Sequence, residues 1–167
     1  AEQQGKLVHY NIKGFQSKPA IRINKQYTFF KPKVVISVNK NNSLAYLYYS
    51  EGAKEPNRDD FEAGLNQLPK PEILYDLELG AEKKNTDFTY GATFYYMNYH
   101  NQLVSTGKIN DVGAYTRTNA PESYRLGIEL QAGQKFAKWI DASGNISFSS
   151  NKIKKFTEYV DDYENGG

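Results

Sequence analysis

A strict alternation of apolar and polar positions runs through residues 124–133, which read YRLGIELQAG. The apolar positions of this segment are Tyr124, Leu126, Ile128, Leu130 and Ala132. The positions between them are polar or small, and they are Arg125, Gly127, Glu129, Gln131 and Gly133. A period of two residues is typical of a β-strand, and the difference between its faces indicates that they meet different media.

The same alternation recurs along the chain, whereas apolar residues seldom recur at the three-and-four spacing of a helix. It predicts further strands at residues 7–15, 29–38, 43–50, 72–82, 87–99 and 140–151. Because Pro32 lacks an amide hydrogen, we expect it at the end or edge of its strand. The predicted fold class is all-β, an antiparallel meander of about seven strands.

The links between the predicted strands alternate between short and long. Strands two and three, four and five, and six and seven are joined by the tight polar segments NKNN, KKNT and KFAKW. The links between strands three and four, and between five and six, run to roughly 20 residues. Minimal turns at one rim and long loops at the other are typical of outer-membrane β-barrels. A soluble sandwich or lipocalin-like barrel can show the same asymmetry by chance.

Composition changes this picture in a few respects. The chain has 14 Tyr against one Trp and no Cys, and its formal net charge is +2. Tyrosine suits the aromatic girdles of a membrane barrel, and the absence of cysteine excludes a disulfide framework. The small and dispersed net charge gives no indication of nucleic-acid binding. No run of about 18 apolar residues predicts a transmembrane helix, but barrel strands never look hydrophobic as a block.

Charged residues lie in the middle of several predicted strands, and they are Asp76, Glu78, Arg125 and Glu129. In a soluble barrel these side chains would face outward and be solvated. In a wide membrane barrel they would line an aqueous lumen, while the apolar face contacts lipid. We expect the lumen-facing placement, which the long-loop rim and the tyrosine content favour.

The segment GAKEPNRDDFEAG, residues 52–64, collects polar side chains around a proline. They are Lys54, Glu55, Asn57, Arg58, Asp59 and Asp60. One interpretation is a solvated loop in which Arg58 pairs with a neighbouring carboxylate. The other is a hydrogen-bonding array that contacts a ligand or another domain inside the barrel, because a plain loop needs fewer polar groups.

Recognisable catalytic motifs are absent from the sequence. His9 and His100 lack an evident carboxylate or serine partner, and no phosphate-binding glycine loop, nucleophile elbow or metalloprotease helix is present. The acidic stretch EYVDDYENGG, residues 158–167, lacks the spacing of a calcium loop and is better interpreted as a solvated loop. We therefore predict no catalytic residue, metal site or cofactor, and a protein that is not an enzyme.

Three segments of the sequence resemble a known family. They are FFKPKVVISVNKNNSLAYLYYSEGAKEPNRDDF, PKPEILYDLELGAE and YYMNYHNQLVSTGKINDVGAYTRTNAPESYRLGIEL. In this order they are similar to the C-terminal half of the barrel of TonB-dependent outer-membrane receptors, in particular those of Bacteroidetes. The block NQLVSTGKINDVGAYTRTN is the most specific part of the resemblance.

The resemblance implies part of a transmembrane barrel of about 22 strands that is filled by an N-terminal plug domain in the Gram-negative outer membrane. It implies uptake of a scarce nutrient, most often an iron siderophore, haem or cobalamin, driven by TonB with ExbB and ExbD. A small-molecule ligand and outer-membrane lipid are the other partners that it implies. Short turns would face the periplasm, and the polar segment around Pro56 would face the extracellular side or the upper lumen.

The sequence departs from the family pattern, since it shows no plug domain, no TonB-box segment and no terminal strand ending in an aromatic residue. We expect residues 1–167 to be a partial barrel domain that lacks its C-terminal strands, either a fragment or one chain of a split receptor. An alternative of another class is a soluble secreted module that binds carbohydrate or protein through tyrosine-rich loops. A third is a passive porin or adhesin barrel.

Overall fold

The computed structural model describes residues 1–15, 22–63, 68–109 and 115–154. Their elements are β1 (Glu2–Ile12), β2 (Ile23–Lys40), β3 (Ser43–Lys54), α1 (Arg58–Ala63), β4 (Glu72–Lys84), β5 (Phe88–Ile109), β6 (Tyr115–Ala137) and β7 (Ile140–Ile153). The acidic stretch at residues 158–167 lies outside the described residues.

The strands form one sheet in which every strand pairs with its neighbour in sequence, in the order β1-β2-β3-β4-β5-β6-β7. Each pair is antiparallel, which confirms the predicted seven-stranded meander. The β2–β3 turn places Asn41 and Asn42 at φ values of 51° and 60°. Two successive positive φ angles match the twist of a tight hairpin, and asparagine tolerates them better than most residues.

Several strands are longer than the alternation predicts. β5 and β6 pair as far as Ile109 and Tyr115, so the predicted long link between them is wrong. Polar residues interrupt the alternation in this region, although the backbone ladder continues through it. The link between β3 and β4 is long, as expected, and contains α1.

Pro32 lies inside β2 rather than at its end. It pairs with Gln3 of β1, whereas the register with β3 begins one residue later, at Lys33. At Pro32 the strand is therefore paired on one side only. This placement resembles an edge position, which is where a strand tolerates a residue without an amide hydrogen.

The apolar face of the sheet is exposed. Its central cross-strand row consists of Ile36, Leu47, Leu79, Phe94, Ile128 and Phe148. Leu79 is 58% exposed and Phe148 is 57% exposed. On β4 the apolar positions run from Ile73 to Ala81, roughly 27 Å at about 3.4 Å per residue, which suits the apolar band of a tilted membrane strand.

The exposed apolar face argues against the soluble alternative, because a soluble module would cover such a face. In the described residues, the buried apolar cluster lies elsewhere, where Ile12, Phe15 and Ile23 meet Phe61 of α1. The part of the chain that the structure describes contains no helix long and apolar enough to cross a membrane.

Candidate functional site

The polar segment around Pro56 folds into the end of a strand followed by a short capped helix. The Oδ1 atom of Asn57 accepts a hydrogen bond from the backbone N–H of Asp60 at 2.9 Å. In return, Oδ2 of Asp60 accepts one from the backbone N–H of Asn57 at 2.7 Å. This reciprocal pair is a capping box, which satisfies two backbone donors at the start of α1. The interpretation of the segment as a plain solvated loop is therefore wrong.

Asp60 also forms a two-pronged ion pair with Arg117 of β6. Nε of Arg117 donates to Oδ1 of Asp60 at 2.8 Å, and an Nη atom donates to Oδ2 at 2.6 Å. The Asp60 side chain is 1% exposed and that of Arg117 is 21% exposed. The hydrogen bond to Asp60 raises the pKa of Arg117, because it stabilises the charged guanidinium. This bidentate geometry ties the β3–β4 connection to β6 in one orientation.

Phe61 attaches the other side of α1 to β1 and β2. Its side chain is fully buried, and its ring centroid lies 5.3 Å from that of Tyr10. Ile12, Phe15 and Ile23 complete the cluster. Because α1 contacts both the β1–β2 hairpin and β6, the sheet must curve around it. The helix therefore lies on the inner side of the wall, near the rim that carries the β3–β4 connection.

The other members of the predicted polar set are distributed around α1. Glu55 accepts a charged hydrogen bond from Nζ of Lys6, and this bond lowers the pKa of the Glu55 carboxyl. The guanidinium carbon of Arg58 lies 5.4 Å from the centroid of the Phe15 ring, so the predicted pairing of Arg58 with a neighbouring carboxylate is not observed among the described residues. Lys54 is exposed at the end of β3, and Asp59 is half-buried.

The strand charges Asp76, Glu78, Arg125 and Glu129 lie on the face opposite the exposed apolar row. Three of them, Glu78, Arg125 and Glu129, border a cavity of about 300 Å³. Asp76 is buried, and its Oδ1 has no hydrogen-bond partner among the described residues. The guanidinium carbon of Arg125 lies 5.4 Å from the centroid of the Tyr99 ring. The inner wall in this region therefore carries more negative than positive charge.

Inner-face tyrosines lie across glycines of the neighbouring strands. Tyr46 pairs with Gly80, and Tyr95 pairs with Gly127. A Cβ atom on Gly80 would come within 2.2 Å of the Tyr46 ring, and one on Gly127 would come within 2.6 Å of the Tyr95 hydroxyl. A ring that covers an opposing glycine supports the ladder at a position that has no side chain of its own.

Sequence reasoning missed three residues that hold α1 and the segment before it in place, namely Arg117, Phe61 and Lys6. Arg117 lies 57 residues from Asp60, and nothing in the local pattern connects them. The sequence does contain one indication of the helix. Asn57 is followed three residues later by the acidic Asp60, which is the spacing of a capping box.

Comparison with known proteins identifies the family. Residues 7–167 match the family model described as TonB dependent receptor-like, beta-barrel. The chain belongs to this family. Among solved structures, the copper transporter OprC is similar with a TM-score of 0.67 and 15% sequence identity over 82% of this chain. This chain spans 23% of the length of OprC, and at this identity the likeness shows the fold alone. No curated protein matches the sequence.

Membership of this family confirms the predicted fold class, a portion of a transmembrane β-barrel in the outer membrane of a Gram-negative bacterium. It also agrees with the prediction that the protein is a receptor rather than an enzyme. In outer-membrane barrels, the outward-facing band of the wall is apolar and contacts lipid, whereas the interior is polar. Barrels of this type have their short connections on the periplasmic side and their longer loops on the outside.

Proposed function

We propose that the chain forms part of the wall of an outer-membrane transporter that takes up a scarce nutrient, using energy delivered by TonB. The observation that carries this proposal is the division of one sheet into an exposed apolar face and a polar inner face. A sheet of this kind closes into a barrel with an aqueous interior. The inward position of α1 then places a fixed polar element at the extracellular mouth.

We propose a metal complex, such as an iron siderophore, as the nutrient. The copper transporter of similar fold supports metal uptake in general. The polar groups at the mouth and on the wall could bind such a complex by many weak contacts, as expected for a ligand that must be released again. Lys54, Arg58 and Asp59 are the members of the polar segment that we assign to contacts with the ligand or with a plug domain. Glu55, Asn57 and Asp60 hold the segment in position.

The inner-wall charges Asp76, Glu78, Arg125 and Glu129 form the second part of the proposed site. They lie deeper than α1 along the inner face, where a ligand or a domain inside the barrel would meet them. TonB with ExbB and ExbD would supply energy through the plug domain, and lipid would surround the apolar face. Every step in this mechanism is non-covalent.

Uptake of radioactive iron tests the proposal. The intact gene product is produced in a Gram-negative host that lacks its own siderophore receptors, and ferric catecholate and ferric hydroxamate complexes are supplied in separate arms. We expect uptake of at least one complex, and we expect uptake to stop when TonB is deleted. Equal uptake without TonB would indicate a passive porin. No uptake of any ferric complex by protein that is folded in the outer membrane would refute the assignment of the nutrient.

A further inference from the structure

A groove of about 570 Å³ lies on the lipid-facing side near the rim with the tight turns. Its floor is a cross-strand row of small residues, Ala45, Ala81 and Ala92, with Val38 at one end. The adjoining row toward the middle of the membrane has large side chains at every position, from Ile36 to Phe148. The groove is therefore a depression in an otherwise raised apolar surface.

The end of the groove nearest the turns is positively charged. Lys40, Ser43 and Lys83 are register partners in the next row, and all three line the groove. Both lysines are exposed, and neither is in an ion pair with a carboxylate in the described part of the chain. Glu82 also borders the groove, but it pairs with Leu44 and Gly91 in the row of the inner face, where its carboxylate accepts a hydrogen bond from Gln131.

We propose that this groove binds one anionic glycerophospholipid of the periplasmic leaflet. The lipid phosphate lies between Lys40 and Lys83, and one acyl chain covers the alanine floor. Two lysines at the headgroup level attract an anionic lipid, because each basic residue near the surface adds favourable electrostatic energy. An acyl chain fills the depression, which would otherwise lose dispersion contacts with the surrounding hydrocarbon.

The proposal depends on the position of the sheet in the membrane and is independent of the nutrient that is transported. Its failure would therefore leave the proposed uptake function untouched. Absence of TonB-dependent uptake would likewise leave the lipid site in place. The two proposals can be judged from separate experiments, uptake by cells for one and lipid binding by the purified receptor for the other.

Native mass spectrometry of the intact detergent-purified receptor tests the charged end of the groove. Phosphatidylglycerol and zwitterionic phosphatidylethanolamine are added separately, and bound lipid is counted. We expect one tightly held phosphatidylglycerol, and K40Q and K83Q should each weaken its binding about fivefold. K152Q, on the same outer face at the opposite end of the barrel wall, is the matched control and should leave binding unchanged.

A pair of alanine variants tests the apolar floor. A45L fills the groove, whereas A53L makes the same change on the outer face of the same strand, outside the groove. We expect A45L to weaken phosphatidylglycerol binding and A53L to leave it unchanged. Equal binding of the two lipids, an unchanged affinity in K40Q and K83Q, or equal effects of A45L and A53L would each overturn the proposal. The lysine variants keep the test valid even where A45L disturbs packing.

Discussion

The ion pair between Asp60 and Arg117 should respond unequally to the loss of each partner. R117Q leaves a carboxylate that is 1% exposed without its cation, whereas D60N leaves a guanidinium that is 21% exposed and can reach water. Removing one partner from a buried pair costs about 3 to 5 kcal/mol, so we expect R117Q to lie in this range. D60N should cost about 1 to 3 kcal/mol, the range for a buried group left without a hydrogen-bond partner.

The loss of stability in R117Q and D60N should appear as local opening of α1 rather than as unfolding of the barrel, because the strand ladders do not depend on this ion pair. Hydrogen–deuterium exchange of the peptide that covers residues 57–63 measures this opening in the detergent-solubilised receptor. A loss of about 3 kcal/mol corresponds to roughly 100-fold faster exchange. R58Q is the matched control, because it removes a neighbouring cation that lies over the Phe15 ring and is in no ion pair among the described residues.

The double variant D60N/R117Q completes a double-mutant cycle, which measures the coupling between the two residues. We expect it to be less destabilised than the sum of the two single variants, because it leaves no unpaired charge behind. Exchange in R117Q no faster than in R58Q, or strictly additive effects in the double variant, would refute the assignment of Asp60 and Arg117 as the link between α1 and β6.

Three further predictions concern other parts of the sheet. I128R places a charge in the lipid-facing row and should destabilise the barrel by about 2 to 4 kcal/mol in urea unfolding from lipid vesicles, whereas E129Q should be mild; equal effects would mean that the faces are reversed. G80A should displace the Tyr46 ring and lower the stability of the barrel by about 1 to 3 kcal/mol. We expect the band of folded protein in gel electrophoresis to disappear at a lower temperature than in the natural protein, and an unchanged temperature would contradict this contact. The hydrogen bond from Lys6 lowers the pKa of the Glu55 carboxyl below its ordinary value of 4.5. The stability that ionised Glu55 contributes to the fold is therefore complete above pH 4.5. It is lost as the pH falls through the lowered pKa. Amide exchange around residue 55, corrected for its intrinsic pH dependence, should accelerate in that acid range in the natural protein and not in E55Q.

The sheet was largely predictable from sequence because a period of two residues encodes a strand and its two faces directly. β4 shows this, since its apolar positions are exposed and its acidic positions Asp76 and Glu78 lie on the inner face. The ends of β5 and β6 were not predictable, because their ladder continues where polar residues interrupt the alternation. Backbone hydrogen bonds hold those parts of the strands, and such bonds leave no pattern in the side chains.

The arrangement of the polar segment around Pro56 and of α1 was predictable only in part. The concentration of polar residues around Pro56 indicated a built structure, and the Asn57–Asp60 spacing was a usable helix signal. α1 has six residues, too few to show a helical period. Its position depends on Phe61 and Arg117 meeting residues that are distant in sequence, and such contacts follow from the curvature of the sheet rather than from any local pattern.

Site-directed spin labelling at two adjacent positions of β4 tests most directly whether the apolar face contacts lipid. The chain contains no cysteine, so L79C and E78C each introduce one labelling site into it. In the receptor reconstituted into lipid vesicles, we predict that the label at residue 79 relaxes faster with oxygen, which concentrates in hydrocarbon. The label at residue 78 should relax faster with a water-soluble nickel complex. The reverse pattern, or a label at residue 79 that neither reagent reaches, would contradict the account.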